Sequence, residues 1–122
     1  MTHSPEFLKL VDDAKSRIRE TDIDGYKRML AAGENFLLID TREESEWAAG
    51  HAAGAVHLSK GIIERDIEAR VPDKNALLVL YCGGGFRSAL AADALQKMGY
   101  RQVVSLAGGW RAWRQNGMPI ER

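Results

Sequence analysis

Three short apolar runs limit what this chain can fold into: Phe36-Leu37-Leu38-Ile39, Leu77-Leu78-Val79-Leu80-Tyr81 and Val103-Val104-Ser105-Leu106. None is long enough for a buried helix, and none alternates apolar with polar residues as a half-solvated strand does. Continuous runs of this length read as strands buried on both faces, the signature of a parallel sheet covered by helices. The segments between them have helical character. Over residues 5–20, Phe7, Leu8, Val11, Ala14 and Ile18 recur at three- and four-residue spacing, with Pro5 suited to a first turn. A second helix is expected over 25–32, with Asp24 as its N-cap and Gly33 as its stop. A polar helical turn over 43–49 and a helix over 61–70, ended by Pro72-Asp73, come next. An alanine-rich helix over 88–98, capped by Gly99, and a last helix starting near Gly108 follow. Val56-His57-Leu58 is a weaker strand candidate. This alternation predicts an α/β fold with a central parallel sheet and helices on both faces. Ligands in such sheets bind beyond the carboxyl ends of the strands. Asp40 to Arg42 and Cys82 to Arg87 both fall there.

With 122 residues, 45% of them hydrophobic, the chain has the size and composition for one domain around one core. Seventeen basic residues balance seventeen acidic ones, which argues against nucleic-acid or membrane-surface partners. No apolar run approaches transmembrane length, and the N-terminus lacks the order of a signal peptide. The single cysteine excludes an intrachain disulfide and suits a reducing cytoplasm.

That cysteine, Cys82, ends the apolar run 77–81 and opens the loop Cys82-Gly83-Gly84-Gly85-Phe86-Arg87-Ser88, which leads into a helix. A loop entering a helix N-terminus directs successive backbone N–H groups at one point, and the helix dipole adds positive potential there. Arg87 adds a full charge. Each of these favours thiolate over thiol, and the thiolate is the nucleophile. The glycines let the loop curl around the sulfur and leave the donors open to an anion. Sulfur or phosphoryl chemistry at one atom follows from this arrangement, against the simpler reading of a small buried cysteine followed by a turn.

Tyr81-Cys82-Gly83-Gly84-Gly85-Phe86-Arg87-Ser88 resembles the active-site loop of single-domain rhodaneses, C-x-x-G-x-R-S. Leu38-Ile39-Asp40-Thr41-Arg42, Glu46-Trp47 and Gly50-His51-Ala52-Ala53-Gly54-Ala55 resemble that family's D-x-R…E-[FY]-x-x-G-H-I-P-G-A segment, with Ala52-Ala53 replacing Ile-Pro. Leu106-Ala107-Gly108-Gly109-Trp110, Trp113 and Gly117-Met118-Pro119 resemble its L-x-G-G-x-x-x-W…G-x-P. The resemblance implies a rhodanese-like three-layer fold of about five parallel strands over residues 22–122, preceded by an N-terminal helical extension over 1–21. It further implies a thiosulfate sulfurtransferase with Cys82 as nucleophile, and no metal or organic cofactor. Gly83, Gly84, Gly85, Phe86, Arg87, Ser88 and Arg42 would bind the substrate. The partners would be a small anionic sulfur donor and a thiol or cyanide acceptor.

Two alternatives stand beside this reading. Cysteine phosphatases and arsenate reductases use C-x5-R, with the arginine six positions after the cysteine, whereas Arg87 follows Cys82 by five. A persulfide carrier or regulatory module without turnover needs the same thiolate. Arg42 also has a structural reading, a pair with Glu46 four residues on. Asp40 is expected to fix the strand end and His51 to be structural, while Trp47, Trp110 and Trp113 pack. The apolar stripe of the N-terminal helix needs cover, from the domain itself or from a second copy in a homodimer.

Overall fold

A computed structural model describes residues 3–122. In chain order the elements are α1 (Pro5–Lys15), β1 (Arg19–Thr21), α2 (Ile23–Ala31), β2 (Leu37–Asp40), α3 (Glu44–Ala49), β3 (His51–Ala52) and β4 (Val56–His57). There follow α4 (Ile63–Arg70), β5 (Leu77–Tyr81), α5 (Phe86–Lys97), β6 (Gln102–Leu106), α6 (Gly109–Gln115) and β7 (Ile120–Glu121). Five strands form a parallel sheet in the order β1-β6-β5-β2-β4, and β3 and β7 pair as a small antiparallel ribbon.

The apolar runs are strands because both of their faces are covered. Along β5, Leu78 and Leu80 face a cluster with Ile63, Ile67, Ala91, Leu95 and Val103, built by α4, α5 and β6. Val79 and Tyr81 face the opposite cluster with Ile23, Tyr26, Leu106 and Trp113, built by α2, β6 and α6. This period-two division is the pleat of the strand expressed in packing. Each buried Leu, Ile or Val stabilises the fold by about 1.5–3 kcal/mol.

Several expected boundaries shift. The helix expected over 5–20 stops at Lys15, where the Ser16 hydroxyl donates to the Asp13 carbonyl at 2.6 Å. Residues 19–21 instead pair with the edge of β6, Arg19 opposite Val104 and Thr21 opposite Leu106. This strand of Arg-Glu-Thr has no apolar signal of its own, and pairing in the folded chain makes it a strand. The N-cap of α2 is Asp22, not Asp24: its carboxylate accepts from the Gly25 amide at 2.8 Å. Helix α5 begins at Phe86, so Phe86, Arg87 and Ser88 occupy its first turn rather than the loop before it.

Helix α1 finds its cover on α5. Val11 and Ala14 are buried, and Arg17 clamps Asp93 of α5 through two hydrogen bonds of 3.0 and 2.8 Å. Among the described residues no helix is long and apolar enough to cross a membrane.

Candidate active site around Cys82

The sheet order brings the two candidate loops together. Strands β2 and β5 are neighbours with Asp40 opposite Tyr81, so the segments leaving their carboxyl ends start side by side. The Thr41 amide and hydroxyl both donate to the Tyr81 carbonyl, at 2.8 and 2.9 Å, and fix one loop to the other.

Cys82 lies at the base of this junction, only 1% exposed. The Gly85 N–H donates to its sulfur at 3.1 Å, and the Ser88 hydroxyl stands 3.6 Å away. Ser88 is held in turn by Ser105 of β6, oxygen to oxygen at 2.8 Å. Gly85 is the N-cap of α5 with φ +105°, a conformation that lets the chain turn sharply under the sulfur. Donors of this kind stabilise negative charge on the atom they surround.

The loop is gripped from its other side by α6. The Trp110 amide donates to the Cys82 carbonyl at 2.7 Å and the Arg111 amide to the Gly83 carbonyl at 3.1 Å. Across a planar trans peptide the N–H lies opposite the C=O, so the amides of Gly83 and Gly84 point away from α6. Helix α6 therefore sets the peptide orientation of the loop.

A pocket of about 620 Å³ opens above the sulfur, with Cys82, Gly83 and Gly84 in its lining. Phe86 forms one wall. It is extended by two residues from the N-terminal segment, His3 and Phe7, whose ring centroids lie 4.9 and 6.2 Å from that of Phe86. Arg87, Glu46 and Arg111 supply the charge. Arg87 is not free: its guanidinium donates to both oxygens of Glu46, at 2.7 and 3.2 Å. Glu46 also accepts from the Glu43 amide at 3.0 Å in a capping box at the start of α3. The Arg87 guanidinium, chiefly by hydrogen bonding, holds the Glu46 carboxyl below the usual carboxylate range, with burial opposing. Glu46, with the nearby Cys82 sulfur, correspondingly raises Arg87.

This arrangement of a buried sulfur, an amide cradle at a helix start and an arginine five residues on decides the relationship. The chain belongs to the rhodanese-like domain family. The family match covers residues 22–116. A sulfurtransferase of Allochromatium vinosum is 34% identical over 84% of this chain and 94% of its own length. A putative sulfur carrier protein of Bacillus subtilis, YrkF, is 30% identical over 80% of this chain, which spans about half (52%) of that relative. A solved structure from Rhodopseudomonas palustris, a protein of unknown function described as a possible tyrosine phosphatase, superposes with a TM-score of 0.84 at 30% identity. That superposition covers 99% of this chain and 98% of the other, so it includes the N-terminal helix.

Within this rhodanese-like domain, Cys82, Gly83, Gly84, Phe86 and Arg87 line the pocket together. Gly85 and Ser88 act from beneath, on the sulfur itself. Arg42 does not join them. It is 3% exposed and its guanidinium is committed to the Asp40 carboxylate at 2.8–3.1 Å and to the Gly50 carbonyl at 2.7 Å. It lies over the Trp110 ring, 4.5 Å from its centroid, so it supports the loops rather than meeting a ligand. Nor does it pair with Glu46, because α3 starts at Glu44 and Arg42 lies outside the helix that an i,i+4 pair requires.

Asp40 fixes the strand end as expected, accepting from the Arg42 amide at 2.8 Å and from the Tyr81 hydroxyl at 2.6 Å. His51 is structural, stacked on Trp47 at 3.4 Å with its Nδ1 at the Trp47 carbonyl. Among the described residues no three His, Cys, Asp or Glu side chains converge as a metal site. The sequence reading missed the roles of Glu46, Ser105, Gly109, Arg111, His3 and Phe7. Glu46 and Gly109 lie inside recognised motifs, but their partners are distant in sequence. The others carry no local signal.

Proposed function

We propose that this protein is a sulfurtransferase that carries sulfane sulfur on Cys82, from thiosulfate or a similar small anionic donor to cyanide or a thiol. The observation that carries the reading is the sulfur at the floor of the pocket, with the Gly85 amide and Ser88 hydroxyl on it and Arg87 above. The Cys82 thiolate attacks the outer sulfur of thiosulfate, the S–S bond of the donor breaks, and sulfite leaves with the electron pair. The persulfide so formed is anionic, and the same donors stabilise it. An acceptor nucleophile then attacks the outer sulfur of the persulfide and returns Cys82 as thiolate, a double displacement with ping-pong kinetics. The chain has no second cysteine, so the sulfur leaves on an external acceptor. The kinship with a sulfurtransferase over nearly its full length supports the same chemistry.

The likeness to the sulfur carrier protein keeps a second reading in play, a persulfide carrier without multiple turnovers. The phosphatase reading is weaker. The loop is one residue short of C-x5-R, which leaves less room for a phosphate.

The test is intact-mass analysis after incubation with thiosulfate, together with a thiosulfate:cyanide assay, on wild type and Cys82→Ser. Wild type should gain one sulfur atom and turn over, and Cys82→Ser should do neither. Failure to gain sulfur from any sulfane donor would overturn the transfer reading. Loading without repeated turnover would establish the carrier, and Cys82-dependent hydrolysis of an aryl phosphate the phosphatase.

A further inference from the structure

Among the described residues, the charges lining the pocket above Cys82 leave one cation without an ion-pair partner. In the pocket above the sulfur, Glu46 and Arg87 neutralise one another at 2.7 Å, while among the described residues Arg111 forms no ion pair. A second hollow of about 490 Å³ begins on the other side of Arg111, lined by Gly83, Trp110, Arg111, Arg114 and Gln115. Gly83 and Arg111 line both hollows, so the second adjoins the first.

Arg111 and Arg114 are three residues apart on α6, hence on one face, with Cβ atoms about 5–6 Å apart. Both are exposed, and among the described residues neither side chain forms an ion pair or hydrogen bond. Arg17, Arg42, Arg65, Arg87 and Arg101, by contrast, each have a side-chain partner. Among the described residues the second hollow has no carboxylate in its lining. Its position relative to the sulfur is fixed, because the Arg111 amide is bonded to the Gly83 carbonyl at 3.1 Å.

We propose that Arg111 and Arg114 form an anion-binding subsite beside Cys82 that holds the carboxylates of the sulfur acceptor. This rests on the sulfur-transfer reading above and names the acceptor class: a small thiol bearing carboxylates several bonds from its sulfur. Cyanide and thiosulfate are too short to span both hollows, so the second one acts on the remainder of a longer molecule. Hollows of this size suit small-molecule ligands. Guanidinium groups suit carboxylates, which they bind in a planar two-point geometry. Trp110, half-buried at the edge, adds an apolar wall.

The subsite is tested with glutathione, which carries a carboxylate at each end, against its diethyl ester, which keeps the thiol and the length but loses both carboxylates. The donor is saturating thiosulfate. Arg114→Gln should raise KM for glutathione about 3–10-fold with kcat unchanged, and Arg114→Glu should raise it further. KM for the ester should move less than about twofold in both variants. Arg101→Gln, far from the site, is the control and should leave the glutathione-to-ester ratio as in wild type. An unchanged ratio in the Arg114 variants, an equal loss on both thiols, or cyanide turnover with no use of glutathione by wild type would overturn the subsite. Wild type that never loads sulfur on Cys82 would instead overturn the sulfur-transfer reading itself.

Discussion

Gly109 is the position where α6 touches the cysteine loop most closely, and Gly109→Ala should damage both the fold and the site. Its φ is +47°, in the left-handed region. An alanine there costs about 1–2 kcal/mol in backbone strain alone. A Cβ on this backbone would also fall inside van der Waals contact of the Cys82 carbonyl oxygen, and 3.0 Å from the carbonyl carbons of Cys82 and Gly83. All three atoms are backbone, so no side chain can swing aside. Regaining ordinary contact needs a displacement of roughly 1 Å between α6 and the loop. That displacement weakens the bonds from Trp110 and Arg111 to the Cys82 and Gly83 carbonyls, worth about 1 kcal/mol each. Together these effects amount to about 3–4 kcal/mol at most, or a melting temperature lower by about 10–20 °C. Gly84→Ala, on the same loop, is the control. Nothing lies within 4 Å of its added Cβ, and the cost should stay below about 1 kcal/mol. Thermal melts followed by circular dichroism measure both, and the rate of sulfur uptake on Cys82 reports the loop. A Gly109→Ala protein melting within about 3 °C of wild type and loading sulfur at the wild-type rate would refute the close-approach reasoning.

Three further perturbations probe the charges and hydroxyls around the sulfur. Glu46→Gln keeps the acceptor for the Glu43 amide but releases Arg87 from its carboxylate, so KM for thiosulfate should fall about 2–5-fold in steady-state assays. Because Arg87 depresses the Glu46 carboxyl, the pair's contribution is present above the unfolded carboxylate value, about 4.3, and disappears as pH falls through the lower folded value. Denaturant titrations should therefore show wild type and Glu46→Gln converging on the acid side, from a difference below about 1 kcal/mol because the pair is about one-third exposed. Ser88→Ala should slow sulfur loading and cost about 1–3 kcal/mol, since it leaves the buried Ser105 hydroxyl without its partner. The double variant Ser88→Ala/Ser105→Ala should recover part of that stability, and urea melts of the set would expose a failure to do so. Asp40→Asn should cost about 3–5 kcal/mol by stranding the buried Arg42 guanidinium. KM for thiosulfate should stay at its wild-type value in the protein that remains folded, and a large rise would return Arg42 to the substrate.

The sequence by itself determined the three apolar strands and the family, and it singled out the loop at Cys82. Leu77 to Tyr81 reads as a two-faced strand because a bounded run of five apolar residues is short for a buried helix and needs cover on both faces. The order of cysteine, glycines and arginine is local, and so are the Gly85 and Ser88 contacts to the sulfur. Elements without an internal signal took their form from their neighbours. Arg19–Thr21 became a strand because the edge of β6 was open to it, after α1 had ended at Lys15. Tertiary structure alone decided the partners of the charges. Arg42 turned inward to Asp40, while Glu46 reached Arg87 across 41 positions because β2 and β5 lie side by side. It also decided that α6 orients the loop and that His3 and Phe7 wall the pocket. The physical difference is one of range. Propensity and periodicity act over a few residues and can be read along a chain, whereas the pairing of charges and the clearance around Gly109 depend on which strands become neighbours.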